Sequence, residues 1–331
     1  MTMKAWTVKQ PGGMDQLVIE NRPIPTPADD EILIKVECTA VNRTDIITRE
    51  NTTLEAPYPI LGVEVSGIVE KEALDYPELK AGTRVAGLVN RGGYAEYVTM
   101  PANRAIIIPD SMSLIDAAAI PEVFLTAYQT MFWLGELKQQ ETVLIHAAGS
   151  GVGTAAIQLA SRKITDANII ATAGSKQKLE MAKALGAAHT INYKKEDFAE
   201  KVLEYTEGRG ADVILDFVGA SYWEKNLKSA AVDARWILIG TLGGSEVENM
   251  SISALMQKRI ALKATLLTPR SNQYKAELTQ EFSKRIIPFF EEYIIQPIVH
   301  SILSFEDLPE AHRQMEANEN TGKIIIQVAE D

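Results

Sequence analysis

Between the apolar run Val143-Leu144-Ile145 and the helix-forming stretch VGTAAIQLASRK lie Ala148-Gly149-Ser150-Gly151-Val152-Gly153. A strand, a turn of mostly small residues and a helix let the backbone approach a pyrophosphate. The helix start adds free N–H groups and the positive end of a dipole. A nominal G-x-G-x-x-G ending at Gly153 would need glycine where Ala148 and Ser150 stand. The placement between strand and helix therefore carries the reading, since a glycine loop alone is weak. Dinucleotide binding is the chemistry expected; a purely structural tight turn is the rival.

The end of the next strand selects the dinucleotide. An NAD site usually carries Asp or Glu there for the ribose hydroxyls. Here the residues are Ala173-Gly174-Ser175-Lys176-Gln177-Lys178. With no acid, one hydroxyl and two cations, the segment suits a 2′-phosphate, so NADPH is expected over NADH. The competing reading is an exposed first helical turn. Lysine is dipole-unfavourable at a helix start, which favours an anion partner.

The elements that must hold these groups alternate. ETVLIHA, NIIATA, HTINY, DVILDFV and RWILIGTL read as strands with helices between them, KQKLEMAKALG being stopped by Gly186. That alternation predicts a doubly wound parallel sheet. Residues 1 to about 120 instead show short strands broken by Pro and Gly, the punctuation of an antiparallel barrel. From about 270 a helix (QEFSKRIIPFFEEYI), a second helix and a strand (KIIIQV) follow, and this end is expected to rejoin the first domain. The division is 1–121 with 270–331, around 122–269.

The 331 residues fit about two domains. A net charge of −11 disfavours nucleic acid or an anionic membrane as partner. Cys38 is the sole cysteine, so no internal disulfide forms. No apolar run is long enough to span a membrane and no signal-peptide pattern opens the chain, which makes the cytoplasm the expectation.

AAAIPEVFLTAYQ, LIHAAGSGVGTAAIQL, LGAAHTINYKKEDF, SYWEKN and MEANENTGKI together resemble the zeta-crystallin-like quinone oxidoreductase branch of the medium-chain dehydrogenases. The resemblance covers nearly the whole chain. It implies an α/β architecture, a GroES-like barrel plus a Rossmann domain, and a homodimer that uses NADPH to reduce quinones. Carried over by position, Ser150, Gly151 and Val152 hold the pyrophosphate and nicotinamide side. Gly174, Ser175, Lys178 and Tyr193 take the 2′-phosphate. Thr126 lies near the nicotinamide. Phe217-Val218-Gly219, Gly240-Thr241-Leu242, Leu266-Leu267 and Asn320 edge the ring.

Each of these has a plainer alternative. Tyr193 can serve core packing, Leu266 and Leu267 are apolar in a predicted strand, and Asn320 can be a turn residue before Gly322. His146, Trp133, Trp223 and Trp236 read as structural.

Zinc-dependent members of the superfamily carry Cys-x-Thr-Asp where this chain has Asn42-Arg43-Thr44-Asp45, and Gly-His-Glu where it has Gly62-Val63-Glu64. Zinc needs about three Cys, His or carboxylate ligands. The four histidines are scattered and one cysteine cannot build a structural lobe. No metal is expected, so the acceptor must be a ready electrophile, a quinone or an enone, with the protein mainly positioning it. The Asn42 amide is a candidate donor to a carbonyl oxygen. Thr44 and Asp45 either share that role or cap turns. Relatives place a tyrosine soon after the tetrad, where Arg49-Glu50-Asn51-Thr52-Thr53 is shorter and lacks it; Tyr58 is the candidate replacement. Two alternatives stay open: an NADPH-dependent enone or alkenal reductase, and an NADPH-binding regulator with little catalysis.

Overall fold

The computed structural model describes residues 1–51, 53 and 56–329. The chain divides into two compact units, Met1–Leu125 with Arg270–Asp331, and Thr126–Pro269.

Unit 1 opens with an antiparallel pair, β1 (Thr2–Val8) and β2 (Leu17–Pro23). The long strand β3 (Glu31–Ala40) leads into helix α1 (Arg43–Glu50), then β4 (Glu64–Lys71), β5 (Arg84–Leu88), β6 (Tyr97–Pro101) and β7 (Ile106–Ile107). Helix α2 (Leu114–Ala118) follows, started by Ser113, whose side chain accepts from Asp116 N–H. The next helix, α3 (Pro121–Tyr128), has Pro at its first position, where the missing N–H costs nothing.

Unit 2 contains β8 (Thr142–Ile145), α4 (Gly151–Lys163), β9 (Asn168–Ala173), α5 (Lys176–Leu185), β10 (His189–Asn192) and α6 (Phe198–Tyr205). It continues with β11 (Ala211–Asp216), α7 (Trp223–Ser229), β12 (Ala230–Leu238), α8 (Ile252–Lys258) and β13 (Ala261–Ala264). The six strands form one all-parallel sheet in the order β10-β9-β8-β11-β12-β13. β8 and β11 are adjacent, and the winding reverses between them, the place where open α/β sheets bind ligands. Ile170, Leu144, Ile214 and Trp236 lie side by side across the sheet and are fully buried. Trp223, expected to be structural, also packs in this core.

The chain then returns to unit 1 through α9 (Asn272–Glu291), β14 (Val299–Ser304), α10 (Leu308–Glu316) and β15 (Lys323–Gln327). α9 begins earlier than its apolar pattern suggests, because the Ser271 hydroxyl accepts from Tyr274 N–H. In the seven-stranded sheet, β15 pairs with the C-terminal part of β3 (Ile325↔Ala40), β6 with its N-terminal part (Ile34↔Val98), and β4 runs along its other edge. Alternate residues of these strands, Ile32, Ile34, Val65, Val98, Ile324 and Ile326 among them, fill one apolar core.

Candidate functional site

The loop after β8 turns directly into a capped helix start. Ser150 sits extended at the head of α4, and its hydroxyl accepts from Gly153 N–H at 3.0 Å. Gly151 and Val152 then open the helix with amides that have no intrahelical partner. A Cβ on Gly149 would lie 2.6 Å from Lys178 Cδ, and one on Gly174 would lie 2.7 Å from Tyr193 Oη and 2.9 Å from Lys194 Cε. Only glycine therefore lets these side chains come this close. Ser175 heads α5 and takes Lys178 N–H. Burial lowers the Lys178 pKa, and the nearby charge of Lys194 lowers it further. Two ammonium groups and a phenol thus converge at the ends of β9 and β10. An anionic phosphate would relieve the repulsion between them.

Lys194 was absent from the sequence expectation. Its signal was the basic pair Lys194-Lys195 directly after the third strand.

Beyond β11, the Phe217-Val218-Gly219 and Gly240-Thr241-Leu242 loops come together. Leu242 N–H donates to Phe217 O at 3.2 Å and Gly243 N–H to Val218 O at 2.7 Å. Gly219 takes a φ of +80°, which suits glycine, and its N–H donates to Asp216 Oδ1. Leu266 and Leu267 correct the sequence expectation. The strand ends at Ala264, and both leucines follow it, Leu266 exposed and Leu267 buried. The chain turns there, and Pro269 has no N–H with which to extend the ladder. Thr126 is buried, and its hydroxyl finds no partner among the described residues. His146 is held by Thr172 and Asn226, in keeping with a structural role.

In unit 1 a polar cluster lies at the start of α1. Asn42 Nδ2 donates to Glu64 Oε1 at 2.8 Å and to Ala40 O at 3.2 Å. Asn42 Oδ1 accepts from Lys323 Nζ at 2.7 Å, and Lys323 also pairs with Glu64 at 2.7 Å and with Val41 O at 3.0 Å. The other Glu64 oxygen accepts the backbone N–H of Glu122 at 2.7 Å. Asn42, Glu64 and Lys323 are all buried. This corrects the idea that Asn42 offers an N–H to substrate, since both its amide hydrogens are engaged inside the protein.

Asp45, also buried, accepts from Asn42 N–H and from Tyr94 Oη, each at 2.9 Å. Beyond Tyr94 stands His312, and beyond His312 stands Arg49. A guanidinium only donates, so His312 Nδ1 is the acceptor and Nε2–H points to Tyr94. Burial, then the charge of Arg49, brings the His312 pKa down to about 3. Burial pushes Asp45 up to about 7, against its two hydrogen bonds and the charge of Lys323.

The stretch Arg49–Thr53, which lacks the relatives' tyrosine, begins inside a helix. Helix α1 continues through Glu50, and the Arg49 side chain is fully buried, bonded to Gly12 O and paired with Glu50 and Glu316. Thr53 N–H donates to Asn51 Oδ1 in a local turn, whereas Thr52 lies outside the described residues. Tyr58 packs against the barrel core, and its carbonyl accepts from Thr7 and Arg22. Thr44 is half-buried in the first turn of α1. Asn320 belongs to unit 1, and its amide donates to Gly322 O at 2.8 Å, as a turn residue would.

Two family models match the chain: the alcohol dehydrogenase GroES-like domain over residues 28–110, and the zinc-binding dehydrogenase model over residues 151–284. A solved NAD-dependent alcohol dehydrogenase is 30% identical, with 99% of this chain and 100% of that one covered at a TM-score of 0.87. An Escherichia coli quinone oxidoreductase, solved in complex with NADPH, is 28% identical over 98% of this chain and 100% of its own, also at 0.87. Among curated proteins, the Mus musculus synaptic vesicle membrane protein VAT-1 homolog is 27% identical, covering 95% of this chain and 81% of that protein. The chain belongs to the quinone oxidoreductase branch of the medium-chain dehydrogenase/reductase superfamily.

The fold expected of this branch is present, a GroES-like unit plus a Rossmann-like parallel sheet. The zinc named in one family model has no fitting donor set in unit 1. Asn42 and Val63 stand where the superfamily has ligands, Glu64 is committed to Lys323, and no group of three His, Cys, Asp or Glu among the described residues is placed to hold a metal ion. No helix among the described residues is long and apolar enough to cross a membrane. The residues missed in sequence, Lys323, Tyr94, His312 and Glu122, left no local signal, because each meets the cluster from a distant element.

Proposed function

We propose that this oxidoreductase uses NADPH to reduce quinones without a metal. The observation that carries the reading is the approach of Lys194 and Tyr193 to Gly174 and of Lys178 to Gly149, beside the Ser150-capped loop. A glycine cradle and paired cations fit a dinucleotide with a 2′-phosphate. The NADPH complex of the Escherichia coli relative supports the same choice.

When bound, NADPH supplies the hydride. The chain's own part is to hold the phosphates on the α4 start and the lysines, while Thr126 has a hydroxyl to offer a ligand. Because Asn42 and Lys323 are committed to each other and to Glu64, the acceptor must be electrophilic in its own right, as quinones are. A homodimer belongs to the same reading. β13 is the outermost strand of its sheet and carries the exposed Leu262, and a solution mass of one chain would remove that part.

The test is direct. Purified protein mixed with NADPH and a panel of soluble ortho- and para-quinones should consume NADPH, and much more slowly with NADH. A flat trace across the panel would refute the reading.

A further inference from the structure

Three carboxyl groups, Asp45, Glu64 and Glu122, gather around one deeply buried ammonium, that of Lys323. They are not equally supplied with donors. Glu64 receives Lys323, Asn42 Nδ2 and the Glu122 amide. Asp45 receives the Asn42 amide and the Tyr94 hydroxyl. The Glu122 carboxyl has no donor among the described residues, and its own backbone N–H is fixed 2.7 Å from Glu64. Lys275 on α9 also faces it, but its ammonium is bonded to Asn90 at 3.0 Å. Low-dielectric surroundings with more acids than bases keep one carboxyl protonated, and the one without donors is the one that keeps the proton.

Exposure separates the candidates further. Asp45 and Glu64 are sealed inside, whereas Glu122 is half-buried. Of the three, Glu122 alone lacks a donor to its carboxyl and keeps part of the residue's surface exposed. Burial first, then the charge of Glu64, brings its pKa up to about 7, near the optimum for a general acid at neutral pH.

We infer that Glu122 is the catalytic acid that protonates the reduced acceptor, with Glu64 and Lys323 as the positioning pair beneath it. The inference rests on the reductase reading above. A quinone gains an electron pair as hydride and becomes the hydroquinone monoanion, while NADPH is oxidised to NADP+. The Glu122 O–H bond then breaks and a new O–H bond forms on the hydroquinone oxygen. Solvent water returns a proton to the Glu122 carboxylate, so one hydride and one proton are consumed per quinone. An enone would be served in the same way, with the enolate carbon as proton acceptor.

The acid form does the work, so the proton step is complete below about pH 7 and falls about tenfold per pH unit above it. The experiment compares wild type with Glu122→Gln and Glu122→Asp at saturating NADPH, over a range of pH, on quinones and on enones. Glu122→Gln should lower kcat by about 100-fold, abolish the alkaline limb and leave the NADPH dissociation constant unchanged. Glu122→Asp should keep a limb at reduced rate.

Infrared spectra supply a readout independent of turnover. The protonated-carboxyl C=O absorption that titrates near pH 7 in the wild type should lose its Glu122 part in Glu122→Gln, leaving that of Asp45. A turning-over wild type whose limb survives Glu122→Gln and whose band keeps its full intensity there overturns this inference and leaves the reductase standing. A wild type that oxidises NADPH with neither quinones nor enones overturns both.

Discussion

Replacing Lys323 with Met should lower the free energy of unfolding by about 3–5 kcal/mol, the usual cost of removing one member of a buried ion pair. The ammonium is almost wholly enclosed and bonds Glu64, Asn42 and Val41. Without it, Glu64 loses the cation it is paired with, and Asp45 and Glu122 lose the cation that favours their ionised forms. The measurement is urea unfolding at neutral pH. Adding Glu64→Gln to Lys323→Met should recover a large part of the loss, because the uncompensated charge is then gone. A single mutant within about 1 kcal/mol of wild type would mean that water reaches the cluster and solvates Glu64.

The second large effect is on cofactor choice. The double variant Lys178→Ala/Lys194→Ala should weaken NADPH binding by about 100-fold and leave NADH binding nearly unchanged. Each lysine can give a charge-assisted hydrogen bond worth about 1.5–3 kcal/mol. Lys194 is exposed and Lys178 half-buried, so the lower end applies, about tenfold for each. Fluorescence titration with both dinucleotides decides it. Equal losses for NADPH and NADH would detach these lysines from the 2′-phosphate. Loss confined to Lys178 would leave Lys194 as mere surface charge.

What the sequence disclosed follows the range of the interactions. The parallel sheet was legible because each strand and helix repeats a local apolar pattern, and the loop after β8 was legible because its small residues are contiguous. The joining of the C-terminal strand to the first domain could be anticipated from the pattern change near 270. The unit 1 cluster could not be read in this way. Its central bond, Lys323 to Asn42, spans 281 residues, and Arg49 to His312 spans 263. Neither lysine nor arginine announces its own burial, and charged residues are seldom fully enclosed unless paired. Asn42 was misread for the same reason. An amide in a loop looks available until its partners are known. Leu266 and Leu267 failed differently, since an apolar pair extends a strand pattern past the point where the backbone turns.

The position of Lys323 on the last strand has a consequence for how the molecule is made. During synthesis, Asn42, Asp45, Glu64 and Glu122 leave the ribosome long before Lys323, which bonds Asn42 and Glu64. The six strands of unit 2 are contiguous in the chain, so that unit can complete its sheet while unit 1 is still lacking β14 and β15. A nascent chain at that stage holds a complete parallel sheet in unit 2, and in unit 1 an acid-rich sheet with an open edge on β3. The closing event is the arrival of β15, which zips onto Cys38–Ala40 and brings the counter-charge in the same movement.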